Sequence, residues 1–194
     1  MSELAAVVDA AWLAEQLGAD DLVVGDVRGP NAHARGHIPG SRPLVLGSPT
    51  PMSDPEAIAE LAREVGLRLR RHGITGEERL VLYDRGDGMG AISSAQLAEL
   101  AGHPRVAILL GGVAGWSGEL ATGQVALAPT KARLEPRPDA LPTRDEVLRR
   151  LADAELTILD VRRAEEYSGK AGSPCDPRQG HIPGARHLEV SELF

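Results

Sequence analysis

The sequence contains one motif twice, and this internal repeat restricts the fold more than any other feature. Residues 26–44 read DVRGPNAHARGHIPGSRPL, and residues 160–188 read DVRRAEEYSGKAGSPCDPRQGHIPGARHL. Both begin with Asp-Val-Arg and reach Gly-His-Ile-Pro-Gly, then a small residue and Arg. The motif aspartates are 134 positions apart and the histidines 144, so the second copy has ten additional residues, which lie in the Gly/Ser/Pro-rich stretch 168–179. A match of this length predicts two copies of one structural unit.

The residues before each motif predict the same local structure. A helix is predicted over 9–17, with Asp9 as its N-cap, and a second over about 143–151, opened by the capping-box pattern Thr-Arg-Asp-Glu. Short apolar runs at 22–24 and 156–159 predict strands that lead directly to the motif aspartates. Each copy is therefore predicted as a helix, a short buried strand, Asp-Val-Arg and a loop.

After the first motif, helices and strands continue to alternate. We predict a helix opened at 53–56, an apolar strand at 80–83, a glycine-containing loop at 84–90, a helix at 91–101 and a strand at 106–110. The continuous apolar strand is typical of a parallel sheet that is buried on both faces. The alternation predicts an α/β fold with a central parallel sheet flanked by helices.

A proline-rich stretch separates the two copies. Residues 129–142 hold four prolines, which can neither continue a helix nor join a central strand, so we predict a linker there. The first domain is then residues 1–128. Residues 143–194 are predicted to be the N-terminal part of a second, incomplete domain of the same kind, because they are far fewer.

Composition excludes several classes of function. The net charge of −7 argues against a nucleic-acid-binding protein, which needs a basic face, and against an anionic membrane surface. No apolar run approaches the ~20 residues of a membrane-spanning helix. The single cysteine, Cys175, excludes an internal disulfide and a multi-cysteine zinc site, and it fits a cytoplasmic protein.

The motifs resemble those of the rhodanese sulfurtransferases of the tandem two-domain type. The resemblance rests on 26–28 with 36–40, the second copy at 160–184, the strand 80–83 with its following loop, and LLGGVAGW at 109–116. It implies an α/β fold with a parallel sheet and the transfer of sulfur from thiosulfate or 3-mercaptopyruvate. The implied partners are a small-molecule donor and a thiophilic acceptor, such as cyanide or a thiol. No cluster of ligands in the sequence implies a metal or an organic cofactor.

The resemblance also locates the nucleophile. The family carries sulfur on a cysteine between a strand end and a helix N-terminus, where loop N–H groups and the helix dipole stabilise a thiolate. This sequence has Asp84 at that position, and a carboxylate cannot hold a sulfane sulfur. We therefore predict that the first domain is non-catalytic. The family's cysteine lies in the corresponding loop of the second domain, which we expect not to be among these 194 residues, so the chain as given is predicted to be inactive.

Four further residues are candidates for supporting roles. In mercaptopyruvate-type relatives, the residues matching Asp26 and His37 lie near the catalytic loop of the second domain and help to manage protons. The alternative is that both tie the loop to the strand end by hydrogen bonds. Arg162 and Arg178 are candidates for binding the donor anion, because a guanidinium suits thiosulfate or a carboxylate. The alternative for Arg162 is an ion pair with a nearby acid.

Two interpretations remain open for the cysteine and for the chain. Cys175 lies in the insertion of the second copy, where no strand–loop–helix pattern surrounds it. It is predicted to be an incidental loop thiol, and the alternative is a resolving or acceptor thiol. For the chain, the alternative to a sulfurtransferase is a non-catalytic rhodanese-like binding or regulatory module, which is supported by Asp84 and by the missing second loop.

Overall fold

The chain divides into two compact units in the computed structural model. The structure describes residues 4–47, 54–172, 174 and 177–192. Unit 1 is Met1–Pro142 and unit 2 is Thr143–Phe194.

Unit 1 is built on a five-stranded parallel sheet. Its elements are β1 (Val7–Val8), α1 (Ala10–Gln16), β2 (Leu22–Asp26), α2 (Pro30–Arg35), β3 (Arg42–Pro43), α3 (Pro55–Arg71), β4 (Arg79–Tyr83), α4 (Met89–Leu100) and β5 (Val106–Leu109), with 3₁₀ turns at Gly112–Gly115 and Pro138–Ala140. The strand order is β1-β5-β4-β2-β3, and every pair is parallel. This confirms the predicted α/β fold with a central parallel sheet flanked by helices.

The sheet is buried on both faces, which explains the continuous apolar sequence of β4. Leu80 and Leu82 belong to a core cluster that also contains the buried residues of α3 and α4. Val81 and Tyr83 belong to a second cluster on the opposite face, together with Leu13 of α1. Because successive side chains of a strand point to opposite faces, every residue from 80 to 83 must pack against apolar neighbours.

Aspartate side chains cap the first turns of two helices in unit 1. Asp9 caps α1 by accepting a hydrogen bond of 2.8 Å from the amide of Trp12, as predicted. Asp54 caps α3 by accepting from the amide of Glu56 at 3.0 Å. Ser53, which belonged to the predicted start of this helix, lies outside the described residues. Aspartate suits both positions because its carboxylate satisfies an amide that has no partner in the helix.

The proline-rich stretch 129–142 belongs to unit 1 and packs on its helices. The amide of Thr130 donates to the carbonyl of Arg70 at 2.9 Å, and the amide of Arg137 donates to that of Leu100 at 2.8 Å. Leu134, together with residues 140–141, packs against the core cluster that contains α3 and α4. The segment predicted as a linker therefore covers the ends of two helices of unit 1.

Unit 2 repeats the start of unit 1. Thr143 and Glu146 form the predicted capping box, with hydrogen bonds of 2.6 and 3.2 Å. The predicted strand at 156–159 is shorter in the structure and begins only at Leu159. The elements are α5 (Arg144–Arg150), β6 (Leu159–Asp160), α6 (Ala164–Tyr167), β7 (Arg186–His187) and a 3₁₀ turn at Val190–Glu192. β6 pairs with β7 in parallel, as β2 pairs with β3.

None of the helices in the described part of the chain has the length and apolar character needed to cross a bilayer.

Candidate functional site

The first motif forms a buried ion pair at the carboxyl end of β2. The carboxylate of Asp26 is fully buried and accepts hydrogen bonds from Arg28, through the amide at 3.0 Å, Nε at 2.9 Å and Nη2 at 2.6 Å. The same Nη2 donates to the carbonyl of Gly36 at 2.7 Å. The pairing with Asp26 raises the pKa of Arg28 further above its usual value. The Asp-Val-Arg sequence therefore fastens the Gly-His-Ile-Pro loop to the strand end.

The second motif makes the same set of bonds. Asp160 accepts from Arg162 through the amide at 3.1 Å, Nε at 3.0 Å and Nη2 at 2.6 Å. Nη2 of Arg162 also donates to the carbonyl of Gly180 at 2.8 Å. The hydrogen bond from Arg162 lowers the pKa of Asp160 below its usual range. The structure thus places Arg162 in an ion pair, as the alternative interpretation of that residue proposed, although half of its side chain is exposed.

Both motif histidines are held by backbone carbonyls. Nδ1 of His37 donates to the carbonyl of His33 at 2.8 Å, and the two rings are stacked with centroids 3.6 Å apart. In unit 2, Nδ1 of His181 donates to the carbonyl of Tyr167 at 2.8 Å, and those rings are stacked at 3.8 Å. His37 is only 2% exposed. These contacts fasten the loop. A fastening role of this kind, through hydrogen bonds, was the alternative interpretation of Asp26 and His37.

Tyr83 links the motif aspartate to the loop. Its hydroxyl donates to Asp26 at 3.0 Å and accepts from the amide of Ile38 at 3.2 Å. The hydroxyl of Ser41 lies 3.0 Å from the same oxygen. Burial, together with the neighbouring Asp26 carboxylate, raises the pKa of Tyr83 to about 12. The phenol is therefore protonated at neutral pH and acts as a donor within a buried network.

The loop after β4 encloses the carboxylate of Asp84. Oδ1 accepts from the amides of Gly86 at 2.9 Å and Gly88 at 3.3 Å. Oδ2 accepts from the amides of Gly90 at 3.0 Å and Ala91 at 3.2 Å, both in the first turn of α4. Asp84 is 5% exposed. A negative group is stabilised here because the amides at a helix N-terminus carry partial positive charge and lack intrahelical acceptors.

Glycines allow this loop to lie against the turn that follows β5. A Cβ at Gly112 would lie 2.6 Å from the carbonyl oxygen of Asp84 and 2.8 Å from the amide of Gly86, so no larger residue fits. Gly88 has φ +76°, a left-handed conformation that glycine adopts without strain. The amide of Val113 donates to the carbonyl of Asp84 at 3.0 Å. Gly112 therefore allows this loop to pack closely against the turn after β5.

The backbone amides of this loop form a binding site for an anion, which we call the cradle. The carboxylate of Asp84 occupies it. The four amides that meet at one point all donate to Asp84. Asp84 supplies no thiol, and its charge repels another anion. The sequence predicted a missing nucleophile at this position but not the occupied cradle. The available signal was the spacing, since the amides of residues 86, 88 and 90 are within reach of an aspartate side chain at 84.

A cavity lies beside this loop. It has a volume of about 450 Å³ and opens next to the first turn of α4. Its described lining contains no lysine, arginine or histidine, so it offers an anionic donor no cationic side chain. The lining residues are Val27, Val45, Leu46, Gly47, Met89, Gly90, Ser93 and Ser94.

The remaining predicted residues are separate from this loop in sequence and belong to unit 2. Arg178 is exposed in the insertion of the second motif. Cys175 lies outside the described residues, so its proposed roles stay predictions. Among the residues that the structure describes, no group of three His, Cys, Asp or Glu side chains is placed to hold a metal ion.

Comparison with known proteins identifies the family. The model of the rhodanese-like domain matches residues 9–119 and 143–193. The thiosulfate sulfurtransferase of Pseudomonas aeruginosa is 31% identical over 195 residues, which cover 97% of this chain and 70% of that protein. The 3-mercaptopyruvate sulfurtransferase of Escherichia coli K12 is 29% identical over 208 residues, with 96% and 72% covered.

A solved structure gives the same result. The crystal structure of SseA from Escherichia coli, described with the rhodanese fold and the mechanism of 3-mercaptopyruvate sulfotransferases, aligns with a TM-score of 0.71 and 27% identity. The alignment covers 97% of this chain and 76% of SseA. Two separate stretches of this chain match the same domain model, each containing one Asp-Val-Arg motif. The chain therefore belongs to the rhodanese family.

Proposed function

We propose that this chain belongs to a rhodanese-type sulfurtransferase, an enzyme that moves sulfane sulfur from thiosulfate or 3-mercaptopyruvate to a thiophilic acceptor. The proposal is supported by relatives named for these two donors, which align with 96–97% of the chain. The acceptor is a thiol or cyanide. The net charge of −7 favours small-molecule partners over nucleic acid or a membrane surface, and the single cysteine fits the cytoplasm.

The transfer runs through a cysteine persulfide. A cysteine thiolate attacks the outer sulfur of thiosulfate, the S–S bond of the donor breaks, and sulfite leaves with the bonding electron pair. The acceptor then attacks the outer sulfur of the persulfide, and the cysteine leaves as a thiolate. Neither step requires an outside oxidant. Each requires a thiol whose thiolate is stabilised, which a cradle of backbone amides provides.

Unit 1 has the non-catalytic role in this proposal. The observation that carries this assignment is the Asp84 carboxylate, which accepts four amide hydrogen bonds in the loop where the family has its cysteine. A carboxylate oxygen cannot accept sulfane sulfur and regenerate itself by releasing it to a thiol. Unit 1 then acts as a scaffold, in which Asp26 and His37 hold the loop to the sheet.

Unit 2 supplies the candidate contacts to the donor. Arg178 is the better candidate, because it lies just before the Gly180-His-Ile-Pro motif, and Arg162 is the second candidate. An arginine suits both donors, since thiosulfate and mercaptopyruvate carry oxyanions that accept two parallel N–H hydrogen bonds. In the family, the residue that carries the sulfur is a cysteine in a loop of the second domain.

The native gene product, purified without reductant, tests the proposed activity. We expect its intact mass to include a species one sulfur heavier after incubation with thiosulfate, and we expect cyanide to remove that sulfur as thiocyanate. A native product that gains no sulfur and forms no thiocyanate would overturn the proposal in favour of a non-catalytic rhodanese-like module.

The 194-residue chain provides the matched measurement. We expect it to gain no sulfur from thiosulfate, because residue 84 is not a thiol. The Cys175→Ser variant is the control for the one thiol present. A sulfur adduct on the chain that disappears in this variant would assign the chemistry to Cys175 and would contradict the predicted inactivity of this chain.

A further inference from the structure

Two buried histidines form a stacked pair in unit 1. His33 lies in α2 and is 1% exposed, and His37 lies in the following loop. Their ring centroids are 3.6 Å apart and their planes are inclined by only 10°. Each ring donates to a backbone carbonyl, since Nε2 of His33 lies 3.0 Å from the oxygen of Ser41 and Nδ1 of His37 lies 2.8 Å from that of His33. These contacts determine the donating nitrogen of each ring.

Two stretches of unit 1 are joined by backbone hydrogen bonds beside the pair. The amide and carbonyl of His37 exchange hydrogen bonds of 2.9 Å with those of Ala121, and the amide of Gly123 donates to the carbonyl of Ala34 at 2.9 Å. The loop 36–41 and the segment 121–123 are therefore fastened to each other beside the stack. The loop is also held by Arg28, which donates to the carbonyl of Gly36, and by Tyr83, which accepts from the amide of Ile38, so the stack is one of several contacts that position it.

Protonation disfavours this arrangement. A second proton on His33 places a charge in a buried site, against the face of another imidazole. Burial lowers the pKa of His33, the interaction with Ser41 and the Asp26 charge oppose that effect, and His37 and Arg28 add to it. The titratable and charged groups that face the ring are His37 of the loop, Asp26 and Arg28 at the end of β2, and Tyr83 of β4 through Ser41.

We propose that the His33–His37 stack is an acid-sensitive latch, in which protonation of His33 separates the rings and releases the loop 36–41 together with the segment 121–123. The device is independent of sulfur transfer. In the closed form the rings are stacked, and in the open form they are separated. At pH values between the ordinary histidine pKa of about 6.5 and the lower pKa of His33 in the closed form, the closed form binds fewer protons than the open form. In that window, opening becomes up to about tenfold more favourable for each unit that the pH falls.

The second motif shows which substitution of His33 removes the titratable imidazole and keeps the stacking contact and the hydrogen bond. Tyr167 occupies the place of His33, stacks on His181 at 3.8 Å and donates its hydroxyl to the carbonyl of Ala185 at 2.9 Å. These contacts match the stack of His33 on His37 and its hydrogen bond to Ser41. A tyrosine gains no charge in the acid range. His33→Tyr therefore tests whether protonation of residue 33 opens the latch. The double variant His33→Tyr/Ser41→Ala reproduces the second copy more fully.

Amide hydrogen exchange on the full chain between pH 7.5 and about 5 tests the latch, with rates expressed as protection factors so that intrinsic pH effects cancel. We expect the amides of Ile38, Ser41, Ala121 and Gly123 to lose protection below pH ~6.5 in the wild type. In His33→Tyr their protection is expected to stay constant. Equal pH dependence in the two proteins would overturn the latch, as would a loss spread evenly over the sheet.

A second measurement needs no variant. The imidazole resonances of wild-type His33, followed by NMR, report its protonation directly. The latch requires that His33 titrates below pH ~6.5 and that the loss of amide protection follows its titration. If His33 takes up its proton while the amides of 36–41 and 121–123 keep full protection, the latch does not exist, whatever the behaviour of the variants.

Discussion

Tyr83 donates its hydroxyl hydrogen to a carboxylate oxygen of Asp26, 3.0 Å away, and the two residues are also register partners on neighbouring parallel strands. The guanidinium of Arg28 lies over the Tyr83 ring, 5.5 Å from its centroid. One phenol therefore connects the ends of β2 and β4, where the motif loop and the Asp84 loop begin. Because both residues are fully buried, neither polar group can exchange this partner for water.

Tyr83→Phe is expected to lower the free energy of unfolding by about 1–3 kcal/mol, because it removes one hydrogen bond from the buried Asp26 carboxylate and leaves the Ile38 amide without its partner. Urea unfolding measures the change. Tyr167→Phe is the matched control, since its hydroxyl makes one half-buried hydrogen bond to Ala185. Equal losses in the two variants would show that the buried network adds nothing beyond a single hydrogen bond.

The two motif aspartates are expected to differ in their contribution to stability. Asp26→Asn removes the charge that faces a largely buried Arg28, and we expect a loss of about 3 kcal/mol in the free energy of unfolding. Asp160→Asn removes the corresponding charge beside a half-exposed Arg162, and we expect a loss of about 1 kcal/mol or less. Denaturant unfolding of both variants compares them. A larger loss at Asp160 would contradict burial as the cause of the difference.

Asp84→Cys tests the cradle itself. In a Cys175→Ser background, the new thiol replaces a carboxylate that accepts four amide hydrogen bonds. These donors stabilise an anion, so we expect the thiol to ionise below its ordinary pKa of about 8.5. The pH dependence of its alkylation rate measures the ionisation. A midpoint at or above about 8.5 would show that the amides stabilise a carboxylate only.

Glu78 makes unit 1 sensitive to acid at the opposite end of β4. Burial raises its pKa, but the interactions with His103, 3.7 Å away, and with Thr75 outweigh that effect and hold the pKa of Glu78 well below its usual range. Because the pKa is lower in the folded state, this stabilisation is complete above about pH 4.3, the unfolded value, and is lost as the pH falls towards the folded value.

Glu78→Gln should therefore destabilise the protein near neutral pH, and its deficit should shrink as the pH decreases from 5 to 3. Urea unfolding at each pH measures the difference from the wild type. The exposed neighbour Glu77 provides the control, and Glu77→Gln is expected to produce no such pH-dependent difference. A deficit at Glu78 that stays constant down to pH 3 would contradict the lowered pKa.

Features that depend on nearby residues were predictable from the sequence. The repeat, the alternation of helices and strands, and the caps at Asp9 and Thr143 follow from spacing and from side chains that reach their own backbone. The absence of a thiol at residue 84 is also plain from the sequence. The two-residue strands β1 and β3 were missed, because two residues carry no periodicity and pair only when the sheet is present.

Contacts between distant residues needed the tertiary structure. The Tyr83 hydroxyl meets a carboxylate 57 positions away, which only strand pairing brings within reach. The stretch 129–142 looked like a linker because prolines exclude regular structure, yet its apolar side chains pack on unit 1. The sequence by itself determined the chemical groups and their local conformation. Only the fold decided that the Tyr83 hydroxyl meets Asp26 and that residues 129–142 pack on the core of unit 1, because burial and mutual orientation arise when separate elements pack.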